Sequence, residues 1–138
     1  KMIYKFVDVN KLVLPKSCYS VYVDDHTHGK KELLQTFNDR FHFNKWGWNW
    51  DALDDVCRDF NWLKNGDIYV VNKSLPQLNN EDMRIYLGSL YTYSEFWDKY
   101  PEHNFIVYFD KSIRDEIYKF CEQYKMSFPL SSEVEEGK

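Results

Sequence analysis

The stretch WGWNWDALDD, residues 46–55, predicts an aromatic turn that contains a glycine, followed by a short helix. Helical periodicity gives this helix an apolar stripe of the kind that packs against a core. The stripe consists of Leu53, Val56, Cys57 and Phe60. The opposite face is predicted to carry four aspartates, which are Asp51, Asp54, Asp55 and Asp59, with Arg58 among them.

The aspartates make this helix less stable than an ordinary surface helix. Aspartate is a poor helix former, and like charges four residues apart disfavour the helix by about 0.2–0.5 kcal/mol per pair. Asn49 is predicted to cap the helix, and Asp51 lies in the first turn, where the helix dipole favours an anion. Two interpretations stay open from the charge pattern alone: a solvated face, or a surface that docks on a basic partner beside three tryptophans.

The same stretch resembles the signature of the barstar family, which are small intracellular inhibitors of secreted ribonucleases. The matching positions are Trp46, Gly47, Asn49, Asp51, Ala52, Leu53 and Asp55. The order of elements over residues 19–109 also fits the family. The resemblance implies that Asp51 and Asp55 contact a ribonuclease and that Asp55 enters its active site.

Three positions depart from the family pattern, since Lys45 replaces an interface tyrosine, Asp54 a tryptophan and Asp59 a glycine. The resemblance also implies one acidic contact on the last helix before the final core strand, with Glu95 and Asp98 as the candidates. The predicted partner-binding residues are Lys45, Trp46, Gly47, Trp48, Asp51, Asp54, Asp55, Asp59, Glu95 and Asp98.

The length of 138 residues predicts a single domain. Within it we expect an N-terminal extension at 1–17, a barstar-like core at 18–110, an additional C-terminal helix at 111–130 and a flexible tail at 131–138. The fold class is α/β, with a small parallel sheet of about three strands packed with helices. The extension at 1–17 is predicted to add a strand or a hairpin.

The core elements follow from hydrophobic patterning and turn residues. Strands are predicted at 20–23, 68–71 and 105–109. Helices are predicted at 30–41, from Asn49 to about Phe60, at 81–100 as one helix or two, and at 112–126.

Composition limits the classes of partner. A net charge of −4 and a pI near 5.5 argue against direct binding to nucleic acid, because phosphate contacts need an excess of Lys and Arg. No apolar run reaches the ~20 residues of a membrane span, and no signal-peptide pattern opens the chain. The three cysteines lack C-x-x-C spacing, so neither a disulfide framework nor a zinc site is indicated, and a reducing cytoplasm is expected.

The predicted function is inhibition: the acidic helix imitates RNA phosphates and blocks the active site of a basic ribonuclease toxin, in a 1:1 complex and as an immunity protein. No enzymatic activity, cofactor or membrane partner is predicted. Two alternatives are retained. One is an interaction module on the same fold that does not inhibit a nuclease. The other is a metal-dependent enzyme whose ligands are Asp24, Asp25, His26 and His28, residues that also suit a solvated turn.

Overall fold

Four parallel strands form one sheet in the computed structural model, which describes residues 4–126. The strands are β1 (Tyr4–Val7), β2 (Cys18–Val23), β3 (Asp67–Asn72) and β4 (Phe105–Asp110), in the order β1-β4-β3-β2. Every neighbouring pair is parallel. The α/β class and the small parallel sheet are therefore confirmed.

Four helices connect and follow these strands. They are α1 (Gly29–Phe41), α2 (Trp50–Cys57), α3 (Asn80–Trp97) and α4 (Arg114–Gln123), with short 3-10 turns at Val9–Lys11 and Lys111–Ile113. The region predicted as one helix or two after β3 is the single helix α3. Within residues 4–126, no helix has the length and apolarity needed to cross a membrane.

The two faces of the sheet are covered differently. One face packs against side chains from all four helices and forms the larger core. The other face carries Tyr69 and Val71 of β3, which are buried beneath Val9 and the segment that follows it. Because β3 is buried on both faces, its continuous apolar run is the pattern expected of a central parallel strand.

At the ends of the chain, one prediction is confirmed and one needs correction. The N-terminal extension adds a strand, which is the first of the two predicted alternatives: β1 pairs with β4, whose residues lie about a hundred positions later, with Tyr4 opposite Val107. The C-terminal helix ends at Gln123 and does not continue to 126, where the described residues end. The predicted flexible tail at 131–138 and the end of the helix prediction at 127–130 lie outside the described residues.

Candidate functional site

The start of α2 is fixed by the turn that precedes it. Asn49 has an extended backbone, and its side-chain oxygen accepts a hydrogen bond from the Ala52 N–H at 2.7 Å, so the predicted N-cap is confirmed. Gly47 lies so close to the helix that a Cβ there would be 3.2 Å from the Ala52 Cβ. A side chain at position 47 would therefore require the turn or the start of α2 to shift by a few tenths of an ångström.

Three side-chain hydrogen bonds attach α2 to α3. The Trp50 indole N–H donates to Asp82 at 3.0 Å, the Tyr93 hydroxyl donates to Asp54, and the Trp97 indole N–H donates to the Cys57 carbonyl at 2.8 Å. The partners follow the same order along both helices, so α2 and α3 run in the same direction. This attachment gives the outer face of α2 a fixed position.

Asp54 was predicted to lie on the solvent-facing side of α2, and this prediction is wrong. It is half-buried at the contact with α3, where its Oδ1 accepts the Tyr93 hydroxyl at 2.5 Å. Burial raises the pKa of Tyr93 well above its ordinary value, and the neighbouring Cys57 thiol and Asp54 carboxylate act in the same direction. Tyr93 thus stays a protonated donor, and Asp54 holds the two helices together.

Replacing Asp54 with alanine is expected to lower the free energy of unfolding by about 1–3 kcal/mol, because the buried Tyr93 hydroxyl loses its acceptor. Tyr93→Phe should cost less, about 0.5–1.5 kcal/mol, since the half-exposed Asp54 carboxylate can still be hydrated. Urea unfolding of the two single variants and of the double variant measures the coupling free energy between the Asp54 carboxylate and the Tyr93 hydroxyl. Additive effects would show that this hydrogen bond contributes nothing to stability.

Asp51 and Asp55 lie where the sequence predicts them, exposed on the outer face of α2. They are one helical turn apart, so both carboxylates lie on one side of the helix. Neither makes a hydrogen bond or an ion pair with any other residue of the 4–126 range. Arg58 does not neutralise them through its Nε, which donates to the Asp54 carbonyl at 3.1 Å.

Asp59 lies outside the helix, contrary to the prediction that α2 extends to about Phe60. The helix ends at Cys57, and Arg58 and Asp59 form a turn in which the Asp59 N–H donates to the Val56 carbonyl at 3.2 Å. The cause is Phe60, which is fully buried with a left-handed backbone (φ 46°) that no α-helix accepts. Asp59 is therefore exposed, but not in line with Asp51 and Asp55.

The loop before α2 combines exposed aromatic surface with backbone strain. Lys45 and Trp48 both have positive φ angles, of 49° and 55°, which cost of the order of 1 kcal/mol for residues other than glycine. The Trp46 and Trp48 rings pack at a centroid distance of 4.7 Å, and Trp48 remains 43% exposed. The buried Trp46 indole nitrogen has no acceptor within residues 4–126. Such strain is concentrated at functional sites in proteins.

Of the two candidates on α3, Glu95 faces away from α2. Tyr93 and Trp97 face α2, and helical periodicity turns Glu95 to the other side of α3. Hydrogen bonding to Glu95 also contributes to the raised pKa of Tyr91, after burial. Asp98 is the exposed C-cap residue of α3, at the same end of the helix pair as Asp59.

The structure brings together three of the four residues of the metal alternative. Ligand atoms of Asp24, Asp25 and His26 lie within 4.8 Å of one another, and His28 is not in the group. Asp24 accepts the His26 backbone N–H at 2.9 Å in an Asx-type turn, and the His26 Nδ1 lies 3.4 Å from an Asp24 carboxylate oxygen and 3.5 Å from one of Asp25. The His26 side chain is 91% exposed. The geometry is that of a solvated turn between β2 and α1.

Sequence reasoning missed the residues that support the site, namely Tyr93, Trp97 and Asp82 on α3. Tyr93 and Trp97 were visible as apolar positions spaced four residues apart. Their hydroxyl and indole N–H groups, however, find acceptors 39 and 40 residues away in the chain. No local sequence pattern predicts hydrogen-bond acceptors that lie so far away in the chain.

Comparison with known proteins identifies one match. A family model described as Barstar (barnase inhibitor) matches residues 19–110, which is 92 of the 138 residues. No curated protein and no solved structure matches the chain. The matched range contains the turn at 46–49, α2 and α3, while β1 and α4 lie outside it.

Proposed function

Because the chain belongs to the barstar family, a family of inhibitors and not of enzymes, we propose that it binds and blocks the active site of a basic ribonuclease toxin. The observation that carries this proposal is the pair of exposed carboxylates of Asp51 and Asp55, which no other described side chain neutralises. They lie on a helix that α3 holds in place. In this proposal the chain is the cytoplasmic immunity protein of the cell that makes the toxin.

The mechanism is occupation of the substrate site. A ribonuclease binds RNA phosphates and moves protons with Arg, Lys and His side chains, and the Asp51 and Asp55 carboxylates take the phosphate positions. Each forms charge-assisted hydrogen bonds, which are bidentate where the partner is arginine. The inhibitor performs no chemistry, and RNA is excluded because its binding groups are occupied.

The aromatic loop and the net charge support the same complex. Trp48 is exposed beside the start of α2, and with Trp46 behind it this residue covers the edge of the contact and excludes water. Exclusion of water lowers the local dielectric and strengthens each charge pair. The net charge of −4 steers a basic partner toward the inhibitor, which raises the association rate.

A second candidate function is an interaction module that no longer inhibits a nuclease. Asp54 supports it, because this residue replaces a family interface tryptophan and its carboxylate faces α3. Lys45, exposed and without an ion pair inside the described range, is a second departure that suits a basic partner poorly. Co-expression with a basic ribonuclease toxin separates the two functions, since only an inhibitor protects the cells.

Affinity capture tests the proposal directly. The full chain and an Asp51→Ala/Asp55→Ala variant are immobilised separately and exposed to an extract of the source cells, and the eluates are assayed for RNA cleavage. We expect a basic ribonuclease on the wild-type column alone, inhibited by one equivalent of the free wild-type chain. Recovery of no ribonuclease, or equal recovery on both columns, would contradict the proposal.

A further inference from the structure

A groove of about 460 Å³ lies between the first two turns of α1 and the loop that precedes α2. One wall consists of Lys30, Lys31, Leu34 and Gln35 of α1, and the other is Trp48. The walls are mainly apolar, because they include the Leu34 side chain, the Trp48 ring and the methylene stems of the two lysines. The groove therefore accepts an apolar side chain and carries cations at its edge.

The positive charges of Lys30 and Lys31 are not compensated. Neither ammonium group has an ion pair or hydrogen bond within residues 4–126, and no acidic residue of that range lines the groove. The two carboxylates of α1 are engaged elsewhere, since Glu32 accepts the His28 backbone N–H at 2.8 Å and Asp39 accepts a side-chain amide of the same helix at 2.7 Å. A ligand of this groove thus meets two free ammonium groups.

The residues around the groove lie in positions that do not favour folding. Lys30 and Lys31 are in the first turn of α1, where the helix dipole disfavours a cation. Trp48 has a 43% exposed ring and a left-handed backbone with φ 55°. Trp46 packs against it at a centroid distance of 4.7 Å, and the buried Trp46 indole N–H finds no acceptor in the part of the chain that the structure describes. This combination is typical of a binding surface, because strain and unpaired polar groups concentrate at functional sites.

We infer that this groove binds an acidic segment of the cognate nuclease. An apolar side chain of the segment packs between Leu34 and Trp48, and carboxylates beside it pair with Lys30 and Lys31. Charge complementarity selects this occupant, because two unpaired ammonium groups repel a basic segment and gain nothing from a neutral one.

The proposed complex brings such a segment to the groove. Trp48 directly precedes Asn49, the N-cap of α2, so the groove adjoins the helix that carries Asp51 and Asp55. A nuclease that takes these carboxylates into its basic active site covers the groove with a neighbouring part of its surface. Two contacts of opposite sign then fix the orientation of the complex. The identity of the donor rests on the proposed function, while the chemistry of the groove does not.

The groove is tested without the nuclease by titrating the full chain with three peptides, followed by NMR shifts of the amide and indole N–H groups. The peptides are N-acetyl-Glu-Leu-Glu amide, the neutral N-acetyl-Gln-Leu-Gln amide and N-acetyl-Glu-Gly-Glu amide, which lacks the apolar side chain. We expect saturable shifts at residues 30–35 and at Trp48 with the first peptide, and clearly weaker binding of the other two. Equal binding of all three peptides, or saturable shifts elsewhere in the chain alone, overturns the inference.

A pair of charge variants shows whether the lysines hold the peptide. Lys30→Gln/Lys31→Gln should weaken binding of the acidic peptide about 5-fold or more. Its melting temperature should stay constant or rise, since the change removes cations from the first turn of a helix. The matched control is Lys119→Gln/Lys125→Gln, at exposed lysines of α4 and the turn after it, and it should bind normally. An unchanged affinity of the groove variant contradicts the inference.

The nuclease recovered by affinity capture tests the donor, and the sign of the effect is decisive. Loss of two positive charges makes the chain more acidic, so long-range steering alone predicts tighter binding of a basic nuclease by Lys30→Gln/Lys31→Gln. The inference predicts binding that is about 5- to 10-fold weaker, with no weakening in the α4 control.

The remaining outcomes separate this inference from the proposed function. If Asp55→Ala weakens nuclease binding and the groove variant does not, the inference fails and the proposed function stands. If the chain binds the acidic peptide and no ribonuclease, the proposed function fails, and with it the nuclease as donor. Self-association of the chain that the groove variant abolishes would assign the groove to a second copy and would likewise overturn the donor.

Discussion

Replacing Asp55 with alanine is expected to weaken nuclease binding by about 2–5 kcal/mol, which is roughly 30- to 5,000-fold in Kd. Losses of this size are typical when one member of a buried, hydrogen-bonded charge pair is removed at an interface. Much of the loss comes from the partner, whose buried cation is left without a carboxylate. Isothermal titration with the recovered ribonuclease gives the value.

The same variant should fold normally, because Asp55 is exposed and its side chain makes no hydrogen bond or ion pair with another described residue. Alanine is the better helix former, so the melting temperature should stay constant or rise slightly. Asp115→Ala, an exposed aspartate in the first turn of α4, is the matched control and should bind with wild-type affinity. Asp54→Ala should weaken binding less than Asp55→Ala. An unchanged affinity of the Asp55 variant would remove this residue from the site.

Local patterning was sufficient for the elements that decide the fold. The apolar runs of β3 and β4, the amphipathic α1 and the N-cap at Asn49 all follow from residue spacing and are present in the structure. The family model over residues 19–110 confirms the resemblance that the motif at 46–55 indicates. Periodicity reports which face of an element is apolar, and that information is local.

Contacts between distant parts of the chain account for what the sequence did not predict. Asp54 was placed on the outer face because helical spacing cannot reveal that Tyr93 supplies a hydroxyl there. Asp59 was placed on the helix because no local pattern shows that α2 ends before Phe60, whose buried side chain accompanies a left-handed backbone. The sequence left open whether the N-terminal extension forms a strand or a hairpin, because local patterning does not show that residues 4–7 pair with the edge of β4. The assignment of the partner-binding residues itself remains a prediction until binding is measured.

Phe60→Ala is expected to lower the free energy of unfolding by about 3–5 kcal/mol, a large part of the ~5–15 kcal/mol of a typical domain. Phe60 is fully buried, and its ring contacts Phe41, Phe43, Trp97 and Phe105 at centroid distances of 5.4–6.4 Å. The cavity left behind removes packing between the segment after α2 and Trp97 at the end of α3. Urea unfolding measures the loss, and Trp62→Ala, at a 40% exposed ring of the same cluster, should cost clearly less.

The backbone of Phe60 makes the comparison with glycine informative. Glycine normally destabilises a protein relative to alanine, because its unfolded chain has more conformational freedom to lose. At φ 46° an alanine keeps the steric cost of the left-handed region, about 1–2 kcal/mol, and glycine does not. We therefore expect Phe60→Gly to be at least as stable as Phe60→Ala. If the glycine variant is the less stable by 1 kcal/mol or more, position 60 does not hold the left-handed backbone that ends α2, and Asp59 would then be free to continue the helix in line with Asp51 and Asp55.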